Sequence, residues 1–201
     1  MKLRYVAASP FVRKVEIMAM ETGLESRLER VPTSLAEPGS GLSKENPLGK
    51  VPSLTLDDGT HLYDSPVICE YLDSLHGGTR MFPAAGPARW TALRRQALAD
   101  GIMDAAVLRR GESRRPAAEQ SPSFMASQKA KVAAALDALE AEAGEFPDGA
   151  DIGLISIACA LGYLDFRFAG EDWRAGRPRL AGWYERFAKR PSVQATKPKD
   201  A

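Results

Sequence analysis

The chain has 201 residues, enough for one large domain or two small ones, each with a core of its own. Its 27 basic and 26 acidic residues leave a formal net charge of +1, which offers no electrostatic attraction to a nucleic acid or a membrane surface. Two cysteines, Cys69 and Cys159, are not spaced as CxxC, and His61 and His76 are the only histidines, so a Cys/His metal site lacks ligands and none is expected. Lys2, Arg4, Arg13, Lys14 and Glu16 interrupt any N-terminal apolar run, and no later run reaches a spanning length, so a cytoplasmic chain is expected.

In chain order, Leu3–Ala7 reads as a strand. Ser9-Pro10 then supplies a capping residue and a proline suited to the first helical position. Phe11, Val12, Val15, Met18 and Ala19 recur at helical spacing, and Gly23 can close that helix. Ser26–Val31 reads as a second strand, and Pro32–Lys44, rich in Pro, Gly and Ser, as an irregular segment. Val51–Leu56 and Thr60–Tyr63 flank the turn Asp57-Asp58-Gly59 and predict a hairpin. Asp64-Ser65-Pro66 repeats the cap-and-proline start, and in the helix after it Val67, Ile68, Tyr71, Leu72 and Leu75 make one apolar face, ending at Gly77-Gly78.

Beyond Gly78 the texture changes. Pro83 and Gly86-Pro87 mark a linker, 79–87, between a first domain, 1–78, and a second, 88–201. The second is helical in pattern: Trp90–Arg110, Phe124–Ala143, Ile152–Phe168 and Leu180–Lys189. The apolar stretch from Ile152 to Leu164 predicts a buried core helix, and the flanks of Cys69 and Cys159 predict two buried, inert thiols.

Two helices thus open with Ser-Pro. A helix N-terminus presents free N–H groups and partial positive charge, so two such ends beside one sheet suit a ligand with two separated anionic groups. Each Ser-Pro on its own reads as an ordinary cap. Val51-Pro52 heads a strand, where a proline that cannot donate to the ladder leaves an edge for a peptide-like ligand to pair with. Lys50 stands beside it, placed to meet a carboxylate.

The segments Ser9-Pro10-Phe11-Val12-Arg13-Lys14, Asn46-Pro47-Leu48-Gly49-Lys50-Val51-Pro52 and Asp64-Ser65-Pro66-Val67-Ile68-Cys69-Glu70-Tyr71-Leu72 together resemble the N-terminal domain of the cytosolic glutathione S-transferases, in order and in spacing. The resemblance continues through Ala99–Ala105 and Ala160–Arg167, ends near Arg190-Pro191-Ser192, and is nearest to the bacterial YibF-like group. It implies a thioredoxin-like α+β domain (βαβαββα) followed by an all-α domain. It also implies glutathione as co-substrate, a small, apolar electrophile as second substrate, and a homodimer. Residue by residue, it implies that the Ser9 hydroxyl bonds the glutathione sulfur, with Phe11 bordering it. The Val51 backbone would pair with the cysteinyl part, before a cis bond to Pro52. Asp64 and Ser65 would hold the γ-glutamyl end, and Lys50 would lie near the glycyl end. Asp100 and Asp104 would reach towards the glutathione of a neighbouring subunit.

Serine cannot form a mixed disulfide, so Ser9 favours thiolate attack over exchange through a protein cysteine. Glutathione-dependent peroxide or disulfide reduction, and a non-catalytic binding module, are the competing readings. Ala7 and Ala8 leave the wall before Ser9 plain. At Asp151-Ile152-Gly153-Leu154 a helix cap is expected to survive at Asp151 although its acidic partner is replaced by Leu154. Arg109, Arg110, Arg114 and Arg115 read as solvated helix-end charges, and Trp90, Trp173 and Trp183 as packing residues.

Overall fold

The computed structural model describes residues 1–34 and 40–200. Its first half is a four-stranded sheet in the order β2-β1-β3-β4. Strand β1 (Lys2–Tyr5) lies parallel to β2 (Glu29–Pro32) and antiparallel to β3 (Leu54–Thr55), which pairs antiparallel with β4 (His61–Leu62). Helix α1 (Pro10–Glu21) crosses from β1 to β2, and α3 (Ser65–Ser74) follows β4; the two pack side by side. The hairpin turn is as expected: Gly59, at φ 87°, takes the left-handed conformation, and the Asp58 side chain accepts from the Thr60 N–H at 2.8 Å.

The strands are shorter than the sequence suggests. Strand β3 covers two residues rather than the stretch from Val51, because Pro52 has no N–H to give to the ladder. The stretch 32–44 is not wholly irregular. A one-turn helix α2 (Leu42–Glu45) is pinned by buried Leu42 and by a Glu45–Arg4 ion pair. The rest of that expectation, at 35–39, lies outside the described residues.

The second half is helical. Helix α4 (Gly86–Glu112) starts inside the expected linker, because Pro87 fits a helical first turn. Helices α5 (Pro122–Glu142), α6 (Ile152–Arg167), α7 (Pro178–Phe187) and α8 (Pro191–Ala195) follow, α8 being unforeseen in the sequence. From Ile152 to Leu164 every residue of α6 is buried. Its cap at Asp151 survives, accepting from the Leu154 N–H at 2.8 Å.

Two glycines let α6 approach its neighbours. A Cβ at Gly153 would lie 2.7 Å from the Ala92 carbonyl oxygen on α4, and one at Gly162 would lie 2.1 Å from Arg13 Nη1 on α1. Helix α6 therefore runs parallel to α4, with Gly153 level with Ala92 and Phe168 level with Arg109, whose guanidinium lies 4.3 Å over its ring.

The halves are joined by charge as well as by apolar packing. Fully buried Lys14 donates to both Asp100 oxygens, at 2.7 and 2.9 Å. Arg13 donates to the Val193 carbonyl, and Arg190 grips Glu21 through two bonds of 3.0 and 2.6 Å.

Candidate functional site

The site is built where β1 ends, β3 begins and two helices start. Ser9 is the N-cap of α1; its Oγ accepts from the Val12 N–H at 3.3 Å, which leaves the hydroxyl proton to donate outward. Half-buried Phe11 stands one turn in, with Lys14 Nζ 5.8 Å from its ring centroid. Strand β3 runs beside β1, and the Arg4 N–H donates to the Ser53 carbonyl at 2.9 Å. This pairing brings the preceding Val51-Pro52 next to the β1–α1 connection.

The Val51–Pro52 bond is cis, and neither backbone group of Val51 has a protein partner among the described residues. The loop ahead of it is held by buried Asn46, whose Nδ2 donates to the Lys50 carbonyl and whose Oδ1 accepts from the Leu48 N–H. The sequence showed Asn46 as a motif residue but gave it no role; its work is to fix Lys50 and Val51 in place.

At the start of α3, Asp64 is the N-cap residue, yet its carboxylate makes no capping bond and is exposed. The Ser65 Oγ is buried without a partner among the described residues. A buried hydroxyl left unbonded is costly, and a ligand is the natural way to satisfy it. Asp104 sits in the field of Lys50 and Asp64: burial pushes its carboxyl up, Lys50 opposes that shift and Asp64 reinforces it. Asp100 is also pushed up by burial against the pull of Lys14. Its carboxylate accepts from Lys14 of its own chain.

Ser9, Val51, Asp64 and Ser65 are thus brought to one edge, with Lys50 and Asp104 beside them. Both cysteines are wholly buried, with burial pushing the Cys69 thiol up to about 12 and the Cys159 thiol up to about 11. Neither is a nucleophile at neutral pH. No group of three or more His, Cys, Asp or Glu able to hold a metal occurs among the described residues.

Two expectations need correction. Arg109 is not a solvated helix-end charge: it is buried, donates to Glu171 at 2.5 Å and stacks on Phe168. Trp90 is not a packing residue, being 68% exposed. Trp173 and Trp183 are buried as expected, the Trp173 Nε1–H donating to Asp165.

Known proteins share this fold and sequence. The profile of the glutathione S-transferase N-terminal domain matches residues 8–75, and that of the C-terminal domain matches 96–186. The chain is 37% identical, over the full length of both, to the uncharacterized GST-like protein YibF of Escherichia coli (strain K12). It belongs to the glutathione S-transferase family. A family member from Pseudomonas fluorescens Pf-5, solved with bound glutathione, is 46% identical, with a TM-score of 0.93 over 98% of each chain. A structure of a Pf-5 family member with bound S-(propanoic acid)-glutathione is 45% identical, with a TM-score of 0.91 over 99% of this chain and 100% of that one. The transferase fold is therefore shared along the whole chain, and no helix is long and apolar enough to cross a membrane among the described residues.

Proposed function

We propose that the protein binds glutathione in this cleft and activates its thiol for attack on a small electrophile. The observation that carries the reading is Ser9, a hydroxyl with its proton unspent at the N-terminus of α1, beside the unpaired backbone of Val51. A free thiol has a pKa of about 8.5, so little thiolate is present at neutral pH. A hydroxyl donor and a helix N-terminus both favour the anion and lower that value. The Val51 N–H and C=O pair with the cysteinyl residue, as a strand would. Asp64 and the Ser65 hydroxyl take the γ-glutamyl end, and Lys50 the glycyl carboxylate. Asp104, with Asp100 one turn before it on α4, is the acid offered to the ammonium of a neighbouring subunit's glutathione. The glutathione bound to the Pf-5 relative supports the reading that glutathione is the ligand.

Attack forms a sulfur–carbon bond. A leaving group departs with its electron pair, or an activated double bond takes a proton at its neighbouring carbon. The burial of Cys69 and Cys159 removes any protein thiol from the site, which favours conjugation over exchange through a protein disulfide. The expected homodimer would cover the exposed apolar side chains of Val67 on α3 and Trp90 on α4, neighbours across the Glu70–Arg89 ion pair. A cytoplasmic location accords with the reading.

Calorimetric titration with glutathione, followed by product analysis with a panel of electrophiles, tests the proposal. Binding and thioether formation are expected; absence of glutathione binding at millimolar concentration refutes it.

A further inference from the structure

The last turn of α6 carries a cation that the glutathione cleft does not use. Arg167 is 13% exposed, its guanidinium lies 3.9 Å over the Phe166 ring, and its Nε is buried without a partner among the described residues. Its Nη1 donates at 2.7 Å to Asp200, a tail residue whose side chain is 74% exposed. Tyr163, one turn back, is buried with its phenol in the field of Arg167 and Arg110. Arg110 itself is exposed and has no ion-pair partner among the described residues.

The packing carries this cluster towards the level of the N-terminus of α1, where Ser9 lies. On α4, Lys14 meets Asp100, and one turn further Asp104 meets the field of Lys50 and Asp64. The C-terminal half of α4 therefore points towards the ligand edge and past it. Helix α6 runs parallel, so its last turn rises to the same level. Gly162 packs on Arg13, one turn into α1 from Ser9, and Phe166, four residues on, continues the same face of α6. Arg110 stands one to two helical turns beyond Asp104, about 5–10 Å.

Resting on the thiol-transfer reading above, we propose that the electrophile carries a carboxylate, and that Arg167 is the specificity residue that receives it, displacing Asp200. The substrate class is a small α,β-unsaturated or α-halogenated carboxylic acid, rather than the plain apolar electrophile that the sequence suggested. Phe166 holds the guanidinium plane still. A side-on carboxylate bonds Nε together with an Nη nitrogen, satisfying the orphaned donor and forming a two-bond fork. The resident Asp200 contact opposes this only weakly, since its carboxylate is solvent-exposed and screened. In the free protein Asp200 stands in for the substrate's acid group.

The test is calorimetry with glutathione, S-propylglutathione and S-(2-carboxyethyl)glutathione on the native protein, Arg167→Gln and Asp200→Asn. The native protein is expected to prefer the carboxyethyl over the propyl adduct by about tenfold. Arg167→Gln should abolish that preference while leaving glutathione affinity within about twofold. Asp200→Asn, on the exposed tail, should strengthen carboxyethyl binding by about threefold and leave propyl binding alone. No preference in the native protein, or a preference that survives Arg167→Gln, overturns the assignment. An equal loss for all three ligands in Arg167→Gln shows a structural role and overturns it too. An unchanged Asp200→Asn removes the displacement step. Failure of glutathione itself to bind the native protein refutes the underlying function instead, a result distinct from all of these.

Discussion

Helices α1 and α3 begin with the same dipeptide, yet the two serines end up in different positions. Ser9 caps α1 with its own oxygen, while Ser65 lies inside the first turn of α3 and leaves Asp64 as the N-cap residue. The first helix start is satisfied by its own chain and offers a proton outward. Among the described residues, the second keeps an exposed carboxylate without a capping bond and a buried hydroxyl without a partner. Their anchors differ as well. Helix α1 is tied to the helical half by Lys14, Arg13 and Glu21, whereas Asp73 on α3 accepts from the Met81 and Phe82 N–H groups of the linker. Under the proposed function, a repeated sequence signal thus serves stability and chemistry at one end, and ligand capture at the other.

The largest effect expected from probing this contrast lies at the anchor of α1. Lys14→Met leaves Asp100 without its partner and should cost about 3–5 kcal/mol in urea unfolding. The double variant Lys14→Met/Asp100→Leu should recover much of that loss. A single variant as stable as the native protein would break the claim that α1 is held by charge.

At α3 the loss should appear in binding and not in folding. Asp64→Ala is expected to weaken glutathione by about ten- to a hundredfold, the worth of a hydrogen bond to a charged group. Ser65→Ala should weaken it less, and both should leave Tm unchanged or slightly higher, because neither side chain bonds the protein. A fall in Tm without a change in calorimetric affinity would reverse the assignment of the two helix starts.

Ser9→Ala should show both effects at once. Loss of the cap costs about 1 kcal/mol, or about 2–4 °C in Tm for a chain of this size. The bound thiol's pKa should rise by about one to two units, read from thiolate absorbance against pH. An unshifted titration removes Ser9 from thiol activation.

The smallest effect concerns Glu21, which the Arg190 bond, and to a lesser degree Ser192, hold below its ordinary carboxyl value of 4.5. A lowered folded pKa means stability present above the unfolded value and lost as pH falls through the folded one. Glu21→Gln should therefore lower Tm at pH 7 by a few degrees. The gap to the native protein should close on acidification below about pH 4.

What the sequence disclosed, and what it withheld, follows the range of the interactions involved. Ser9-Pro10, Val51-Pro52 and Asp64-Ser65 could be read because a cap, a strand-heading proline and a turn are written in adjacent residues. The buried run of α6 could be read because thirteen successive residues, Ile152–Leu164, admit no solvated face. Lys14, Arg13 and Arg109 could not, since a charged residue becomes an interior one only through partners such as Asp100, Val193 and Glu171 far along the chain. Trp90 misled for the opposite reason: its ring resembles core, but it lies on the outer face of α4. The role of Arg167 was hidden because it arises from Phe166 beneath it, Arg110 on another helix and Asp200 on the tail.

The clasp between α1 and the distant α8 segment bears on how the protein is made. Arg190 reaches Glu21 across 169 positions, and the Val193 carbonyl meets Arg13 across 180. While the ribosome is still adding the helical half, the sheet half has emerged with one flank of its first helix bare. Two buried cations, Lys14 and Arg13, then have no counterparts to meet. The nascent sheet half thus lacks these contacts until residues nowhere near it in sequence have been made.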